Sequence, residues 1–599
     1  MQKWIYRKPD NLVELFENAC ELWPRNQFFG VKTPDGKSLE WMTYKQVGER
    51  VDNLRAGMAT LGVGKDDAVG IIANNRPEWA IAAFAAFGRE ARFVPMYEAE
   101  LVKIWKYIIE DAAVKVLFVS KPEILEKVKD FPKEIPTLEK IILIDGSGPD
   151  TMGELEAAGS MKPVPSIQPS PYEIATLIYT SGTTGDPKGV LLSHGNFTHT
   201  ARSGFHIYPE LCESSRSISI LPWAHVYGQC AELYNWLQFG GSIGFMENVN
   251  TLLDDLALVK PTFIIAVPRI FNKIYTALWA RMREEGGAKE KLFHAAVETA
   301  KKRRELAAQG KADWLTEKKF AFLDKAVFGK IRERFGGCLQ GALTGSATMN
   351  PDVAQFFFDI GIPVYDCYGL TETSPAVTMN CPAAYRLGSV GQVLERVKVV
   401  IDRSMVEPGA VDGEIVIYGP NVMQGYHNKP EDTAAVMTAD GGFRTGDRGR
   451  LDQDGFLWIT GRIKEQFKLE NGKYVFPASL EEDIKLVPYV ANAMIYGEGK
   501  PYNICLIYPD FAALGKYAAE HNLPTEPEQM VGNAQIKGFL ASEIKNQLTE
   551  RFGGYEIPQK IVLLTEDFTL ENGMLTQTMK LKRKVVLERY QDEIAGQYT

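Results

Sequence analysis

The sequence has few of the features that mark a membrane-spanning, secreted or zinc-binding protein. No stretch approaches the roughly 20 consecutive apolar residues that span a bilayer, and MQKWIYRKPDNLVELF at residues 1–16 lacks the apolar core of a secretory signal. The seven cysteines are scattered from Cys20 to Cys505 without a C-x-x-C pair, which favours reduced thiols over a disulfide framework or a zinc site. We therefore expect a cytoplasmic protein.

The net charge and the chain length further limit the classes of protein to which this sequence can belong. The net charge of −9 argues against broad, nonspecific binding to nucleic acid, although a local basic patch remains compatible with it. Apolar residues make up 45% and charged residues 24%, close to the averages for soluble globular proteins. A chain of 599 residues exceeds what a single core usually supports, so we expect one large body and at least one smaller domain.

Apolar segments alternate with helical segments in the first part of the chain, which predicts βα units and a mostly parallel sheet. A helix is expected at 77–88. The strand-like segments lie at 68–73, 91–97, 115–120 and 140–145. Residues 271–337 are charged and helix-rich, and two interpretations of them stay open: a solvated helical insertion, or helices that line a substrate tunnel.

The most informative local pattern is LIYTSGTTGDPKGVLLSH at residues 177–194. Glycines allow backbone N–H groups to converge, hydroxyls add donors and Lys188 adds positive charge, a combination that suits a polyphosphate. The spacing differs from that of P-loop ATPases, because two residues separate Gly182 from Gly185 and Gly189 follows the lysine. Taken alone, this segment is equally compatible with an ordinary turn.

Three later segments follow this loop in a recognisable order: YDCYGLTETSP at 365–375, the run from GFRTGDRGR to SLEEDI at 442–484, and NGMLTQTMKLKR at 572–583. Together the four resemble the signatures of the adenylate-forming superfamily, which contains acyl- and aryl-CoA synthetases, peptide-synthetase adenylation domains and beetle luciferases. The resemblance covers nearly the whole chain. It implies an α/β fold with a large N-terminal body of mixed and parallel sheets with helices, residues 1–461, and a small mobile α+β C-terminal domain, residues 462–599.

The resemblance implies a nucleotide site around Y-G-x-T-E. Tyr368 would stack on adenine, and Asp366 would accept a hydrogen bond from the adenine amino group. Thr371 would contact the α-phosphate, and Glu372 would hold Mg²⁺ between phosphate oxygens, a role that suits a hard anionic ligand. The plainer alternatives are core packing for Tyr368 and a solvated charge for Glu372.

Further residues extend this implied site. Asp447 offers two acceptor oxygens to the ribose hydroxyls, and Arg462 adds a charged donor; a surface salt bridge between them is the alternative. The TGSAT turn at 344–348 is similar to the turn that borders the adenine and acyl sites, or is a plain strand-to-helix turn. The implied cofactor-binding set is Thr180, Ser181, Gly182, Thr183, Thr184, Gly185, Lys188, Gly345, Ser346, Asp366, Tyr368, Gly369, Asp447, Arg462 and Gly472, with Glu372 and Thr180 near the metal.

The implied catalytic residues are Lys580, Glu372, Thr371 and His225. Lys580 matches the catalytic lysine of the mobile domain, where an ammonium would stabilise charge that builds during attack on the α-phosphorus; Lys582 is the residue most easily confused with it. His225 matches a histidine between the acyl pocket and the thiol path, although an ordinary core histidine is the alternative.

The resemblance also implies a domain movement. Ile463 and Lys464 match the hinge about which the C-terminal domain swings. Gly472 matches a glycine loop that passes close to the incoming thiol after the rotation.

Within the superfamily the chain looks most like long-chain fatty acyl-CoA synthetases, from segments such as NNRPEWAIAAFAAF at 74–87 and VPRIFNKIY at 267–275. This implies ATP, Mg²⁺ and coenzyme A as cofactors and a fatty acid as substrate. The alternatives are an acyl-acyl carrier protein ligase, a medium-chain or aryl acid CoA ligase, a luciferase-like oxygenase and a non-enzymatic lipid-binding protein. Reversible contact with a membrane surface, acyl chain length and oligomeric state stay open.

Overall fold

The computed structural model describes residues 8–180, 186–248, 251–404, 406–549, 551–576 and 580–598, without the side chain of Phe205. Five residues of the predicted phosphate loop, Ser181, Gly182, Thr183, Thr184 and Gly185, lie outside the described residues. No helix in the described ranges is both long enough and apolar enough to cross a membrane.

The first part of the chain forms the predicted βα units. Strands β7, β4, β3, β5 and β6 lie side by side in that order and run parallel, because their apolar residues are buried under helices on the sheet faces. This confirms the mostly parallel sheet. The elements are α1 (Leu12–Leu22), β1 (Gln27–Lys32), β2 (Leu39–Thr43), α2 (Tyr44–Thr60), β3 (Ala68–Ile72), α3 (Pro77–Phe87), β4 (Arg92–Met96), α4 (Val102–Asp111), β5 (Val114–Val119), α5 (Pro122–Val128), α6 (Phe131–Glu134), β6 (Lys140–Leu143), α7 (Met152–Ser160), β7 (Ile174–Thr180), β8 (Lys188–Ser193) and α8 (His194–His206).

The middle of the chain adds two more sheets and the helical insertion. Strands β9 and β10 join β1 and β2 in a four-stranded sheet, and β11–β15 form a five-stranded sheet. The elements are β9 (Arg216–Ser219), a π-helix (Gly228–Tyr234), a 3₁₀ turn (Trp236–Gln238), β10 (Ser242–Phe245), α9 (Leu252–Val259), β11 (Phe263–Ala266), α10 (Pro268–Glu285), α11 (Gly287–Ala308), α12 (Trp314–Leu323), a π-helix (Asp324–Phe328), α13 (Gly329–Arg334), β12 (Gly341–Thr344), α14 (Pro351–Asp359), β13 (Val364–Gly369), a 3₁₀ turn (Thr371–Thr373), β14 (Ala376–Met379) and β15 (Gln392–Val393).

The insertion predicted at 271–337 is packed on its inner side. Phe271 of α10, Phe293 of α11 and Leu323 of α12 share one buried cluster with Ile264 of β11 and Val364 of β13. The insertion is therefore anchored on the five-stranded sheet, while its outer side faces solvent.

The last part of the body is an antiparallel sheet, and smaller sheets follow. Strands β16, β17, β19 and β20 form the antiparallel sheet, and β18 pairs with β8 as the edge strand of the large sheet. The elements are β16 (Lys398–Asp402), β17 (Gly413–Tyr418), β18 (Gly425–Tyr426), α15 (Pro430–Val436), β19 (Phe443–Leu451), β20 (Leu457–Arg462), β21 (Phe467–Lys468), β22 (Tyr474–Val475), α16 (Pro477–Ile484), β23 (Val490–Tyr496), β24 (Ile504–Pro509), α17 (Phe511–Glu520), α18 (Pro527–Gly532), α19 (Ala534–Thr549), β25 (Lys560–Leu563), α20 (Arg583–Arg589) and α21 (Gln591–Ala595).

Buried apolar clusters separate close to the end of β20. The largest cluster reaches as far along the chain as Leu457, and the two clusters of the C-terminal part begin at Leu469 and Met494. A partly buried side chain, Leu486, packs across onto the insertion cluster. Separate cores indicate a body and a smaller α+β C-terminal domain, which agrees with the expected fold class.

Candidate active site

The adenine-site residues predicted from the sequence lie at the carboxyl ends of neighbouring parallel strands. Thr344 ends β12, and its register partner on β13 is Asp366. Tyr368 follows two residues later on β13. In α/β sheets, ligands bind where such strand ends meet, so the sheet brings these residues to one edge.

Asp366 lines a cavity together with Met349, Tyr385 and Gly388. Its Oδ1 atom is buried and has no hydrogen-bond partner among the described residues, and burial raises the pKa of its carboxyl well above the usual range. A buried acceptor without a donor is costly in a protein interior. The amino group of adenine would supply the missing donor, so this residue fits its predicted role.

The glycines at this edge are required by close approaches. A Cβ on Gly345 would lie 2.7 Å from Sγ of Cys367, and one on Gly369 would lie 1.6 Å from the carbonyl oxygen of Pro375. Ser346, between β12 and α14, has a φ of +71°, a conformation that glycine adopts more easily. The TGSAT segment is thus a strained turn beside the residues that are predicted to bind the nucleotide.

Asp447 joins two other predicted nucleotide residues. The hydroxyl of Tyr368 donates to its Oδ2 over 2.7 Å, and Nε of Arg462 donates to its Oδ1 over 2.8 Å. Asp447 and Arg462 are cross-strand partners on β19 and β20. Asp447 is only 4% exposed, whereas the Arg462 side chain is 39% exposed, so their salt bridge has one buried partner and one partly exposed partner. Each carboxylate oxygen keeps a second lone pair that can accept from a ribose hydroxyl.

The side chain of Lys580 belongs to the C-terminal part, and its ammonium is within electrostatic range of Arg462, Asp447 and Glu372. The residue retains exposed surface, but protein atoms displace much of the water around the ammonium. This desolvation, followed by the charge of Arg462, lowers the pKa of Lys580. The backbone is held by Thr576, whose N–H donates to the Lys580 carbonyl over 2.9 Å.

His225 faces the same ammonium. Burial, followed by the charge of Lys580, lowers the pKa of His225 to about 3, so the imidazole is neutral near pH 7. The backbone N–H of Tyr227 donates to its Nδ1 over 3.2 Å, which assigns the ring proton to Nε2. His225 is therefore a neutral donor.

The phosphate-side residues are connected through two residues that the sequence did not single out. Nζ of Lys188 contacts Oδ1 of Asp432 at 2.7 Å and lies 5.2 Å from the ring centre of Tyr426. The hydroxyl of Tyr426 donates to Oε1 of Glu372 over 2.8 Å. Tyr426 thus links the predicted phosphate lysine to the predicted metal carboxylate. The sequence GYHNKPED at 425–432, which contains both residues, is the pattern from which these contacts could have been predicted.

Of the remaining predicted residues, Thr180 and Thr371 adjoin the residues described above, whereas Gly472 lies apart from them. Thr180 is the register partner of Lys188, and the buried Thr371 precedes Glu372 in the 3₁₀ turn. Gly472 lies in the turn between β21 and β22 with a φ of +84°, and a Cβ there would make only an ordinary contact of 3.8 Å with Cε of Lys468. The left-handed backbone by itself requires glycine there. The structure shows no contact between Gly472 and the cluster around Asp447.

Ile463 and Lys464 form a turn directly after β20. The N–H of Ile463 donates to the carbonyl of Gly446 over 2.9 Å. The next residue, Lys464, donates no backbone hydrogen bond to a described residue. The turn connects the sheet that holds Asp447 to the C-terminal part.

A buried glutamate that the sequence analysis missed holds the segment that carries His225. Glu232, in the π-helix, is fully buried; its Oε1 accepts from the N–H groups of Ile220 and Leu221 over 2.9 and 2.8 Å. Its Oε2 accepts from Ser219 and Trp223 over 2.8 and 3.2 Å. Burial raises the pKa of Glu232 to about 8, although these four donors oppose the shift.

Asn75 forms hydrogen bonds with the same segment, residues 219–223, from the other side. Its Oδ1 accepts from the N–H of Trp223 over 2.7 Å, and its Nδ2 donates to the carbonyl of Leu221 over 2.6 Å. Residues 219–223 are therefore fixed on both sides just before His225. No sequence pattern near Glu232 indicates this role, because two of its four donors are backbone N–H groups and the other two are side chains outside its π-helix.

The described residues contain no group of three or more His, Cys, Asp or Glu side chains that could hold a metal ion. A divalent cation at Glu372 would therefore need oxygen ligands from a bound phosphate.

Two family models match the chain. The model described as AMP-binding enzyme matches residues 16–427, and the one described as AMP-binding enzyme C-terminal domain matches residues 464–599. The interval between the two matches contains Asp447 and Arg462.

Curated relatives match over nearly the full length. The chain is 32% identical over 567 residues to the long-chain-fatty-acid–CoA ligase FadD15 of Mycobacterium tuberculosis, covering 92% of this chain and 91% of that protein. It is 30% identical to the peroxisomal long chain acyl-CoA synthetase 7 of Arabidopsis thaliana, covering 100% of this chain and 88% of that protein. It is 29% identical to human long-chain-fatty-acid–CoA ligase 1, with coverage of 100% and 88%.

Solved structures share the fold. The anthranilate CoA ligase AuaEII in complex with anthranoyl-AMP has a TM-score of 0.74 at 19% identity, covering 97% of both chains. The adenylation domain of the carboxylate reductase GR01_22995 from Mycobacterium chelonae has a TM-score of 0.79 at 21% identity, covering 98% of this chain and 91% of that one.

Proposed function

Because the chain belongs to the family of AMP-binding enzymes, we propose that it activates a long-chain fatty acid with ATP and passes the acyl group to coenzyme A. The protein is an AMP-forming acid–CoA ligase with ATP and coenzyme A as substrates; the long acyl chain is the part that we propose. The relatives named as long-chain ligases support it. The observation that carries the mechanism is that the Lys580 ammonium is within electrostatic range of Glu372 and Asp447.

The first step makes a good leaving group. A carboxylate is a poor acyl donor, and its attack on the α-phosphorus of ATP gives an acyl-adenylate and pyrophosphate. We assign Asp366 and Tyr368 to adenine, Asp447 and Arg462 to ribose, and Thr371 to the α-phosphate. Lys580 stabilises the negative charge that develops on the transferring group.

The polyphosphate would lie along the loop that begins at Thr180. Lys188 would exchange its contact with Asp432 for phosphate oxygens, which keeps its charge paired. The free oxygen of Glu372 and the hydroxyl of Thr180 would hold Mg²⁺, which neutralises phosphate charge when it is bound. Tyr426 would orient Glu372 for this contact through its hydrogen bond.

The second step transfers the acyl group from AMP to the thiol. We propose that residues 462–599 form the mobile domain and rotate about Ile463 and Lys464, which withdraws Lys580 and brings the Gly472 turn to the site. His225, as a neutral Nε2 donor, borders the path that opens when the ammonium leaves. One site would thus perform two reactions in sequence.

A pyrophosphate-release assay with carboxylic acids of graded length tests the substrate class, with coenzyme A and acyl carrier protein compared as acceptors. Long-chain acids should give the highest kcat/KM with free coenzyme A. A preference for aryl or short acids would refute the acyl assignment, and a preference for acyl carrier protein would refute the acceptor. We keep the cytoplasm as the predicted compartment, which localisation of the tagged protein tests.

Asp447→Asn should raise the KM for ATP by about 10- to 100-fold, the range expected when a charge-assisted hydrogen bond is weakened. The relative preference among acids should not change, because the proposed partner of Asp447 is ribose. Steady-state kinetics with varied ATP and two acids check this. An unchanged KM for ATP with an altered acid preference would move Asp447 out of the nucleotide site.

Glu232→Ala should slow overall ligation by roughly 10- to 100-fold, because small displacements of reacting groups have effects of that size. The KM for ATP should stay near that of the wild type, since the released segment carries His225 and not the adenine residues. Glu232→Gln restores the acceptor for Ile220 and Leu221, so it should recover part of the rate. If both variants raise the KM for ATP equally, Glu232 supports the whole fold and does not position His225.

A further inference from the structure

The outer face of α12 carries the most concentrated exposed apolar surface of the helical insertion. Trp314, Leu315 and Phe322 are 64%, 66% and 68% exposed. Lys318 and Lys319 lie between them, and Trp314, Lys318 and Phe322 follow each other at intervals of four residues on one side of the helix. We call these five residues the α12 patch. Single exposed apolar side chains are common, but three together on one short helix are not.

The patch is positively charged in a chain whose net charge is −9. The acidic residue of the helix, Glu317, is paired with Arg303 of α11 at 2.9 Å. Within the described ranges, Lys318 and Lys319 have no carboxylate at salt-bridge distance. Nζ of Lys318 lies 4.2 Å from the ring centre of Trp314. The face therefore offers aromatic and aliphatic groups together with unneutralised ammonium groups.

We propose that the α12 patch docks the protein onto an anionic lipid surface. Trp and Phe side chains insert at the boundary between headgroups and acyl chains, while lysine stems lie along apolar surface and keep their charges at the phosphates. A second copy of the chain is a poorer occupant, because a two-fold contact through this face would place Lys318 and Lys319 against their own counterparts. The positive charges of Lys318 and Lys319 therefore favour an anionic lipid surface over a second copy of the chain.

The opposite side of α12 connects the patch to the site. Leu323 is buried in the cluster that includes Ala342 of β12 and Val364 of β13, and Phe320 packs against it. These strands carry Thr344 and Asp366 at their ends. Docking through α12 would hold this sheet next to the bilayer, where long-chain acids accumulate. The docking itself does not depend on the ligase reaction.

Flotation of the full-length protein with vesicles tests the proposal. The wild type should float with vesicles of phosphatidylglycerol and phosphatidylcholine, bind vesicles of phosphatidylcholine alone much more weakly, and detach at high salt. Trp314→Ser with Phe322→Ser, and Lys318→Glu with Lys319→Glu, should each lower the partition constant at least about tenfold. The matched control is Met161→Ser with Tyr172→Ser, which removes side chains that are 81% and 82% exposed elsewhere and should leave binding unchanged.

Thermal unfolding of each variant shows that the surface changes leave the fold intact. Equal binding by the wild type and both patch variants would overturn the proposal, as would equal loss in the control variant. A dimer in sedimentation without vesicles, abolished by the patch substitutions while vesicle binding persists, would assign the face to a second copy instead.

Discussion

Lys580→Ala is expected to slow formation of the acyl-adenylate on the order of 10²–10³-fold, the loss that follows removal of one preorganised donor to a developing charge. Transfer of the acyl group from supplied acyl-AMP to coenzyme A should stay largely intact, because the proposed role of the ammonium is in the first transition state only. Fatty-acid-dependent exchange of labelled pyrophosphate into ATP measures the first step. Thioester formation from synthetic acyl-AMP measures the second.

Lys582→Ala is the matched control, because this lysine is two residues away and precedes helix α20. The charges that act on the Lys580 ammonium come from Arg462, Asp447 and Glu372, and removal of Lys582 should leave both steps near the wild-type rate. If Lys580→Ala impairs both half-reactions equally, or if Lys582→Ala reproduces the loss in adenylation, the assignment of the catalytic lysine is wrong.

Lys464→Pro separates the two half-reactions in the opposite direction. Proline fixes φ near −65° and restricts the preceding residue, Ile463, and Lys464 donates no backbone hydrogen bond to a described residue that the substitution would remove. Adenylation should be largely retained. Thioester formation should fall roughly 10-fold or more, since each ~1.4 kcal/mol added to the cost of the second conformation slows that step tenfold. Acyl-AMP should accumulate on the enzyme in single-turnover experiments.

Lys464→Ala removes the same side chain without restricting the backbone, so it should behave like the wild type in both steps. Loss of both steps together in the proline variant would indicate misfolding or a fixed arrangement of the two domains. Retention of both steps would place the pivot elsewhere in the chain.

Patterns that are local in sequence predicted the fold well. The apolar segments at 68–73 and 115–120 became β3 and β5 because burial on both faces of a parallel sheet leaves a continuous apolar run. The segment at 77–88 became α3, which begins at Pro77, a favoured first helical residue. The type of each of these elements is therefore determined mainly by residues that are close together in the sequence.

Contacts between residues that are far apart in the chain could not be predicted from such local patterns. Lys188 and Asp432 are 244 residues apart in the chain, and Tyr426 reaches Glu372 because β18 pairs with β8. Two of the four donors to Glu232 are backbone N–H groups, which any sequence supplies. For Gly472 the position was predicted from resemblance, but its positive φ is a local reason for glycine that the sequence did not reveal.

For the predicted site residues, the choice between a ligand contact and an ordinary surface or core position depends on how deeply each side chain is buried. The sequence alone does not give that burial. Asp447 and Arg462 form a salt bridge in which Asp447 is buried and the Arg462 side chain, on the edge strand β20, is 39% exposed. Asp366 sits on an ordinary-looking strand, and only the folded sheet leaves its Oδ1 without a donor. Their assigned roles in nucleotide binding remain predictions for the kinetic experiments above.

An oxygen-18 transfer experiment tests the central claim, that the reaction passes through an acyl-adenylate on the way to a fatty acyl-CoA. A long-chain fatty acid labelled at both carboxyl oxygens is incubated with ATP, Mg²⁺ and coenzyme A, and the products are analysed by mass spectrometry. Attack of the carboxylate on the α-phosphorus, followed by expulsion of AMP by the thiol, predicts one labelled oxygen in AMP and one in the acyl-CoA. Label in inorganic phosphate with release of ADP, or AMP without label, would contradict the account.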